Sequence, residues 1–467
     1  MRVAVRPRLD HPEVRAALDL LVAWIEYRLA YWSLPSLAIA VVHDQELLWA
    51  RAFGDADVER GIPATPATRY RIGSITKLFT ATAVMQLRDA GALRLDDPVA
   101  RHLSWFTIAR EPEHDGVELT VRQLLSHTTG LPREAAFPYW ETFEFPAIAE
   151  LREGLARQTT ALAAESQWKY SNVAVALAGE IVAAASGMPY ARYVERHILE
   201  PLGMRSTLVD GIVAGDPRLA RGYSRRFPRA PREQREVGDL GGLVAAGNIA
   251  STVEDLARFA MLQLRTAAGV EPAVLAATTV KEMQRMHWLE PGWQAGWGLG
   301  FRIYREDGRT CLGHGGLLPG HAADLRVLPA EKIAVIVLAN AEDAWPLVYG
   351  QRATALLAPA IAAAMSGLPS TPAPDPSLSR YLGRYRNTWG DSQVLLGPAG
   401  LRIVAPFNVD PTEGMDLLTP VGPDVFRIVS SNGYGAPGEL VTFELGPEGT
   451  ATSFKIGEHR RYRVAEW

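Results

Sequence analysis

Hydrophobic positions change their spacing several times along this chain. Over HPEVRAALDLLVAWIEYRL, His11 to Leu29, apolar residues fall at helical intervals between Glu13, Arg15, Asp19, Glu26 and Arg28, which predicts an amphipathic helix. SLAIAVVHDQELLWARAFG then holds two runs rich in Val, Ile, Leu and Trp around a polar break at His43 to Gln45, the pattern of a hairpin. From about Ser74 to about residue 266 helical patterns dominate, broken by the loop HTTGLPREAAFP and by the arginine-rich RGYSRRFPRAPREQREVGD, which reads as a solvated loop. Strand-like runs return with GLGFRIY, TCLGHGG, ADLRVLP and KIAVIVLAN, and the helical PLVYGQRATALLAPAIAAAMS follows them.

This order predicts an α+β fold, an antiparallel sheet built from both ends of the segment with a helical region, about 74–266, inserted between them. GLPSTPAPDPS, Gly367 to Ser377, has the proline density of an extended linker and separates a first domain, 1–366, from a second, 378–467. In the second, YLGRYRN, SQVLLG, LRIVAP, VFRIVS, LVTFELG and SFKIG alternate with turn residues, which predicts a small all-β barrel or sandwich.

Composition narrows the function classes. The chain of 467 residues is 48% hydrophobic and 21% charged, as expected of globular domains. A net charge of −4 gives no electrostatic case for nucleic acid. Cys311 is the single cysteine, and no Cys/His cluster points to a metal, so no cofactor is expected. The apolar runs are short or interrupted by charge, so no membrane span and no signal peptide are expected, and a cytoplasmic location is the default. A homo-oligomer is left open. Lysine stands at five positions, 77, 169, 281, 332 and 455, among 48 basic residues, so each is an uncommon choice.

One of those lysines lies in RIGSITKLFTATAVMQL. Ser74 and Lys77 are three residues apart at the start of an apolar helix and would share a face. A buried lysine there can lose its proton and act as a base beside the serine, which arginine cannot do. Taken alone, the pair reads as a helix cap followed by a surface charge, and Ser166 with Lys169 repeats the spacing. Two further elements stand in order behind it. Tyr170-Ser171-Asn172 precedes the apolar helix VAVALAGEIVAAASG, and His314-Gly315-Gly316 lies in a strand context. His127 reads as a structural loop residue, and Trp288, Trp293 and Trp297 as either an acyl pocket or core.

With Ser-x-x-Lys, Tyr-x-Asn and His-Gly-Gly in that order, the chain resembles the serine β-lactamase and penicillin-binding protein superfamily, and most of all its class C branch with esterases and D-aminopeptidases. The resemblance covers roughly residues 15 to 365, including LLSHTTGLP, AAGNIASTVEDLARFA, GWGLGF and GHGGLLPG. It implies Ser74, not Ser166, as the nucleophile, with Lys77 and Tyr170 sharing acid and base work. It implies that Asn172 orients Lys77 or the substrate. The oxyanion hole would be the backbone N–H groups of Ser74 and Leu317, with Gly315 and Gly316 letting the strand approach the substrate.

His314 departs from the pattern, since the β-lactamases carry lysine there. A neutral imidazole lacks the permanent charge suited to a β-lactam carboxylate. The expectation is therefore a carboxylesterase acting on small or acyl esters. A D-stereospecific aminopeptidase or amidase, or a weak β-lactamase, is the alternative within the class, and a binding module without turnover the alternative outside it.

Overall fold

The computed structural model describes residues 9–114, 118–213, 216–265, 274–366, 375–430, 433 and 435–467. Contacts divide the chain into two units, Pro35–Gly350 and Met1–Leu34 with Gln351–Trp467.

In the first unit, nine antiparallel strands form one sheet. Their order is Ile62–Pro63, Glu46–Asp57, Ser36–His43, Ile333–Ala339, His321–Leu328, Arg309–Leu318, Arg302–Glu306, Ala295–Trp297 and Trp288–Leu289. Both ends of the segment thus meet in the sheet centre, where Leu37 pairs with Ala339 and Val41 with Val335. Ser36–His43, His321–Leu328 and Ile333–Ala339 are buried over nearly their whole length, which is why they read as continuous apolar runs.

Between the two halves of the sheet in chain order come the helices Thr76–Asp89, Asn172–Ser186 and Val253–Leu264, the first two packed on each other. Phe79 stacks on Phe259 with ring centroids 4.2 Å apart, tying the first helix to the third. The arginine-rich stretch is exposed over residues 225–231, as a solvated loop is, but its two ends are tied down. Gly222–Tyr223 pairs with Gln234–Arg235, and Arg232 bonds Asp343 at 2.5 Å.

In the second unit the helix Pro12–Trp32 groups with the C-terminal strands rather than with the sheet. Trp24 Nε1 donates to the carbonyl oxygen of Asn408 at 2.9 Å, and Arg384 bonds Glu26 at 2.7 Å. The strands form a closed eight-stranded barrel, Gly383–Asn387 to His459–Val464, sealed where Tyr385 pairs with Arg463. Tyr385, Val394, Leu401, Phe443 and Phe454 fill the interior, as in other barrels of this strand number. Six of the eight strands match the sequence pattern. Asp416–Gly422 carries Pro420, and His459–Val464 is mostly charged, so neither shows an apolar alternation. Of the Pro-rich linker, residues 367–374 lie outside the described residues; Pro376–Tyr381 is a 3-10 turn.

Candidate active site

Ser74 sits on a single 3-10 turn, Gly73–Ile75, that runs into the helix Thr76–Asp89. Its hydroxyl caps neither element, so the cap reading of this serine does not describe the structure. The turn is pinned on both sides. Ile72 N–H donates to the Ile249 carbonyl at 3.0 Å, and the buried Arg71 guanidinium donates to the Val237 and Gly238 carbonyls and to Asn248.

The strand Arg309–Leu318 crosses close to this turn. A methyl at Gly316 would overlap the Ile72 carbonyl oxygen, and one at Gly73 would fall 2.7 Å from the Leu317 nitrogen. Gly73 also has φ +50°, a conformation that glycine adopts most readily. Gly316 is therefore required by packing against the serine turn, a constraint that the sequence did not disclose. Gly315 has open space, with nothing nearer than 3.7 Å to an added methyl. Leu317 is 60% exposed, and its amide lies beside the serine turn.

Lys77 is 1% exposed, so it is not a surface charge. Its Nζ lies 2.9 Å from Ser74 Oγ and donates to the Ala246 carbonyl at 2.6 Å. Burial pushes its pKa down to about 7; Glu134 raises it and Arg133 lowers it. The Tyr170 hydroxyl donates to Ser74 Oγ at 2.9 Å, and burial raises its pKa. Ser74 thus stands between an amine that can be neutral and a phenol that keeps its proton.

For Asn172, the first of the two roles expected does not hold. Its Nδ2 donates to Glu134 Oε1 at 2.7 Å, while the hydrogen bonds of Lys77 go to Ser74 and Ala246, so Asn172 does not orient the lysine. Glu134 Oε2 accepts from the Tyr139 hydroxyl at 2.7 Å, and Arg133 Nε lies 3.4 Å from Oε1. The Arg133 guanidinium stacks over the Tyr170 ring, 4.9 Å from its centroid. A permanent cation is therefore present at the site, though not at position 314.

His314 is buried, and its pKa falls to about 3, first through burial and then through Lys77. Its Nδ1 lies 2.5 Å from the Gly315 carbonyl oxygen, which fixes the N–H on Nδ1 and leaves Nε2 as a bare acceptor without a partner among the described residues. An aromatic group surrounds it. Trp297 lies 5.6 Å from His314, 6.2 Å from Tyr170 and 5.1 Å from His127, between ring centroids. Of the three tryptophans singled out in the sequence, Trp297 reaches the site, while Trp293 is 75% exposed and Trp288 is half-buried on a short strand. His127 packs 4.5 Å from Tyr170 and accepts the Ser171 N–H at Nδ1, the structural role expected of it.

The structure thus brings Ser74, Lys77, Tyr170, His314 and the Leu317 amide to one place. Sequence reasoning missed Arg133, Glu134 and the Ala246 carbonyl. The first two follow the phrase HTTGLP directly, and their adjacency to it was the available signal.

Comparison with known proteins shows the family and the fold. The Beta-lactamase family profile matches residues 22–358. "Beta-lactamase-like protein 2" of Dictyostelium discoideum is 26% identical over 424 residues, 85% of this chain and 76% of that protein. The octameric penicillin-binding protein homologue from Pyrococcus abyssi superposes with a TM-score of 0.63 at 23% identity, over 96% of this chain and 100% of its own, and supports the two-part fold. A D-stereospecific amidohydrolase from Streptomyces sp. superposes with a TM-score of 0.59 at 26% identity, over 71% of this chain and 97% of its own. Among the described residues, no single helix is long and apolar enough to cross a membrane.

Proposed function

Because the chain belongs to the Beta-lactamase family, we propose that it is a serine hydrolase that cleaves carboxylic esters through an acyl-enzyme on Ser74. The observation that carries this reading is Ser74 Oγ held 2.9 Å from both Lys77 Nζ and Tyr170 Oη. Lys77 is the first base, since burial lowers its proton affinity and raises that of Tyr170. Ser74 Oγ attacks the carbonyl carbon as its proton passes to Lys77. The oxyanion is met by the N–H groups of Ser74 and Leu317, each worth about 3 kcal/mol in such sites. Tyr170 protonates the departing oxygen and is reprotonated from Lys77. Water then enters by the same steps in reverse, frees the acid and restores Ser74.

Treatment with an active-site serine phosphonate beside a Ser74→Ala control tests the reaction class; a wild-type protein that takes no label would sink it, and with it leave the binding-module reading. A panel of p-nitrophenyl esters, D-alanyl anilides and a chromogenic cephalosporin tests the substrate, with esters expected to turn over fastest. Preference for the cephalosporin over every ester would overturn the ester assignment.

Amide hydrolysis is the second reading. It is favoured by the Glu134 carboxylate, an anion beside Asn172 where a substrate amine could be held, and by the likeness to the D-stereospecific amidohydrolase. The panel separates the two by the ratio of anilide to ester turnover.

A further inference from the structure

The Tyr-x-Asn segment is laced to the loop that follows His127. Lys169 N–H donates to the His127 carbonyl at 2.9 Å, Ser171 Oγ to the Pro132 carbonyl at 2.7 Å and Asn172 N–H to the Arg133 carbonyl at 2.8 Å. These bonds fix the backbone on both sides of Tyr170 but not its side chain. The bond from the Tyr170 hydroxyl goes to Ser74 Oγ, the atom that must move in the reaction. Packing holds the ring instead. His127 lies 4.5 Å from it between centroids, and the Arg133 guanidinium carbon 4.9 Å from its centroid.

Arg133 is not spent on an ion pair. Its Nε stands 3.4 Å from Glu134 Oε1, while the short bonds to that carboxylate, both 2.7 Å, come from Asn172 and Tyr139. A guanidinium that serves a carboxylate alone closes its planar fork on it. Here the side chain is 61% exposed and reaches over the aromatic ring, whose face attracts a cation.

That charge bears on both groups that exchange the serine proton. Lys77 Nζ lies 5.0 Å from the same ring centroid. Burial is the main reason that Lys77 gives up its proton readily; Glu134 opposes this and Arg133 adds to it. In Tyr170 burial tightens the hold on the proton, which the Ser74 hydrogen bond and then Arg133 counter and Glu134 reinforces. The other titratable groups that face the pair are His127 in the same loop and His314 on the strand, both kept neutral first by burial, with Arg302 acting on His314. The Ala246 turn presents a carbonyl. Arg133 and Glu134 are thus two opposed charges acting on one proton relay.

We infer that Arg133 is a positioning residue of the acyl-transfer reaction, a cationic cover on the Tyr170 ring that holds the phenol on Ser74 Oγ and presents its charge to Lys77 and Tyr170. This rests on the acyl-enzyme reading and deepens it. Removing the cation makes protonated Lys77 easier to form, so the neutral base is lost at a higher pH. Removing the Glu134 anion does the reverse.

The test is the pH profile of kcat/KM on methyl butanoate, whose poor leaving group needs the Tyr170 proton, for wild type, Arg133→Gln, Arg133→Lys and Glu134→Gln. Labelling of Ser74 by a phosphonate is followed in parallel. Arg133→Gln should lower the plateau by about three- to thirtyfold, the range of a cation–π contact, and move the acid limb to higher pH. Arg133→Lys, which keeps the charge and loses the planar fork, should lower the plateau with a smaller displacement of the limb. Glu134→Gln should move the limb to lower pH. A limb that stays in place in Arg133→Gln overturns the inference whatever the plateau does, because a merely structural loss lowers the rate without moving it. An equal displacement in Arg133→Lys overturns it as well. Should Arg133→Gln not label, Glu134→Gln decides, and a limb that does not move down there overturns the inference. Failure of the wild type to label would remove the acyl-enzyme reading, and the inference with it.

Discussion

Two Ser-x-x-Lys segments of this chain have opposite fates. In Ser74 and Lys77 the three-residue spacing falls where a 3-10 turn enters a helix, and the two side chains meet at 2.9 Å in a buried setting. In Ser166 and Lys169 the same spacing falls in a turn, where the exposed Ser166 hydroxyl folds back on the Ala163 carbonyl at 2.7 Å. Lys169 contributes its backbone, donating to the His127 carbonyl at 2.9 Å. Spacing alone does not make a nucleophile; it needs a helical start to align the pair and burial to hold the amine neutral.

The sharpest way to break this comparison is to remove the two hydroxyls in turn. Ser74→Ala should lower kcat on a p-nitrophenyl ester by up to the order of 10⁶-fold, whereas Ser166→Ala should leave it unchanged. The lysines come next. Lys77→Arg should cost roughly 10²- to 10⁴-fold in kcat/KM, because guanidinium stays charged and cannot take the serine proton; Lys169→Arg should cost nothing measurable in the same assay.

A pH profile reads the same lysine without mutation. With a folded pKa of about 7, the active amine is lost below that pH, so kcat/KM should fall on the acid side of neutrality. An acid limb near pH 5 would place the base elsewhere. The depressed pKa also carries a stability cost. Between the folded value, about 7, and the ordinary 10.5, the unfolded chain binds the proton more readily, so the cost is complete below pH 7 and fades as pH rises to about 10.5. Lys77→Met should therefore stabilise the protein at pH 6 by a few kcal/mol, at about 1.4 kcal/mol per pKa unit, and much less at pH 10, measured by denaturant unfolding. The smallest effect concerns the two strand glycines. Gly316→Ala should destabilise by about 1–3 kcal/mol through overlap with Ile72, while Gly315→Ala should stay within about 0.5 kcal/mol.

Much of the fold was legible because its central strands are buried on both faces and consist of Val, Ile, Leu and Ala, as in IAVIVLA. The barrel strand HRRYRV was not, since its charged side chains hide the period of two. In the site, Ser74, Lys77, Tyr170 and His314 were legible through three short motifs in a fixed order, lysine alone being an uncommon residue type in this chain. Ala246 left no trace, because it acts through a backbone carbonyl that every residue has. Glu134 looked like any loop acid. Its meaning depends on Asn172, 38 residues away in sequence, standing 2.7 Å from it. The lysine-orienting half of the role given to Asn172 failed for the same reason, as its amide donates to a partner that pattern could not place.

The nine-stranded sheet also has a consequence for how molecules of this protein meet. Its two outermost strands, Ile62–Pro63 and Trp288–Leu289, are two residues long, and one of them includes a proline with no N–H to offer. Exposed strand borders are where sheets from different molecules zip together into aggregates, and short or proline-bearing borders discourage it. The central strands, among the most apolar and β-prone segments of the chain, are thus shielded at both margins from templating another copy.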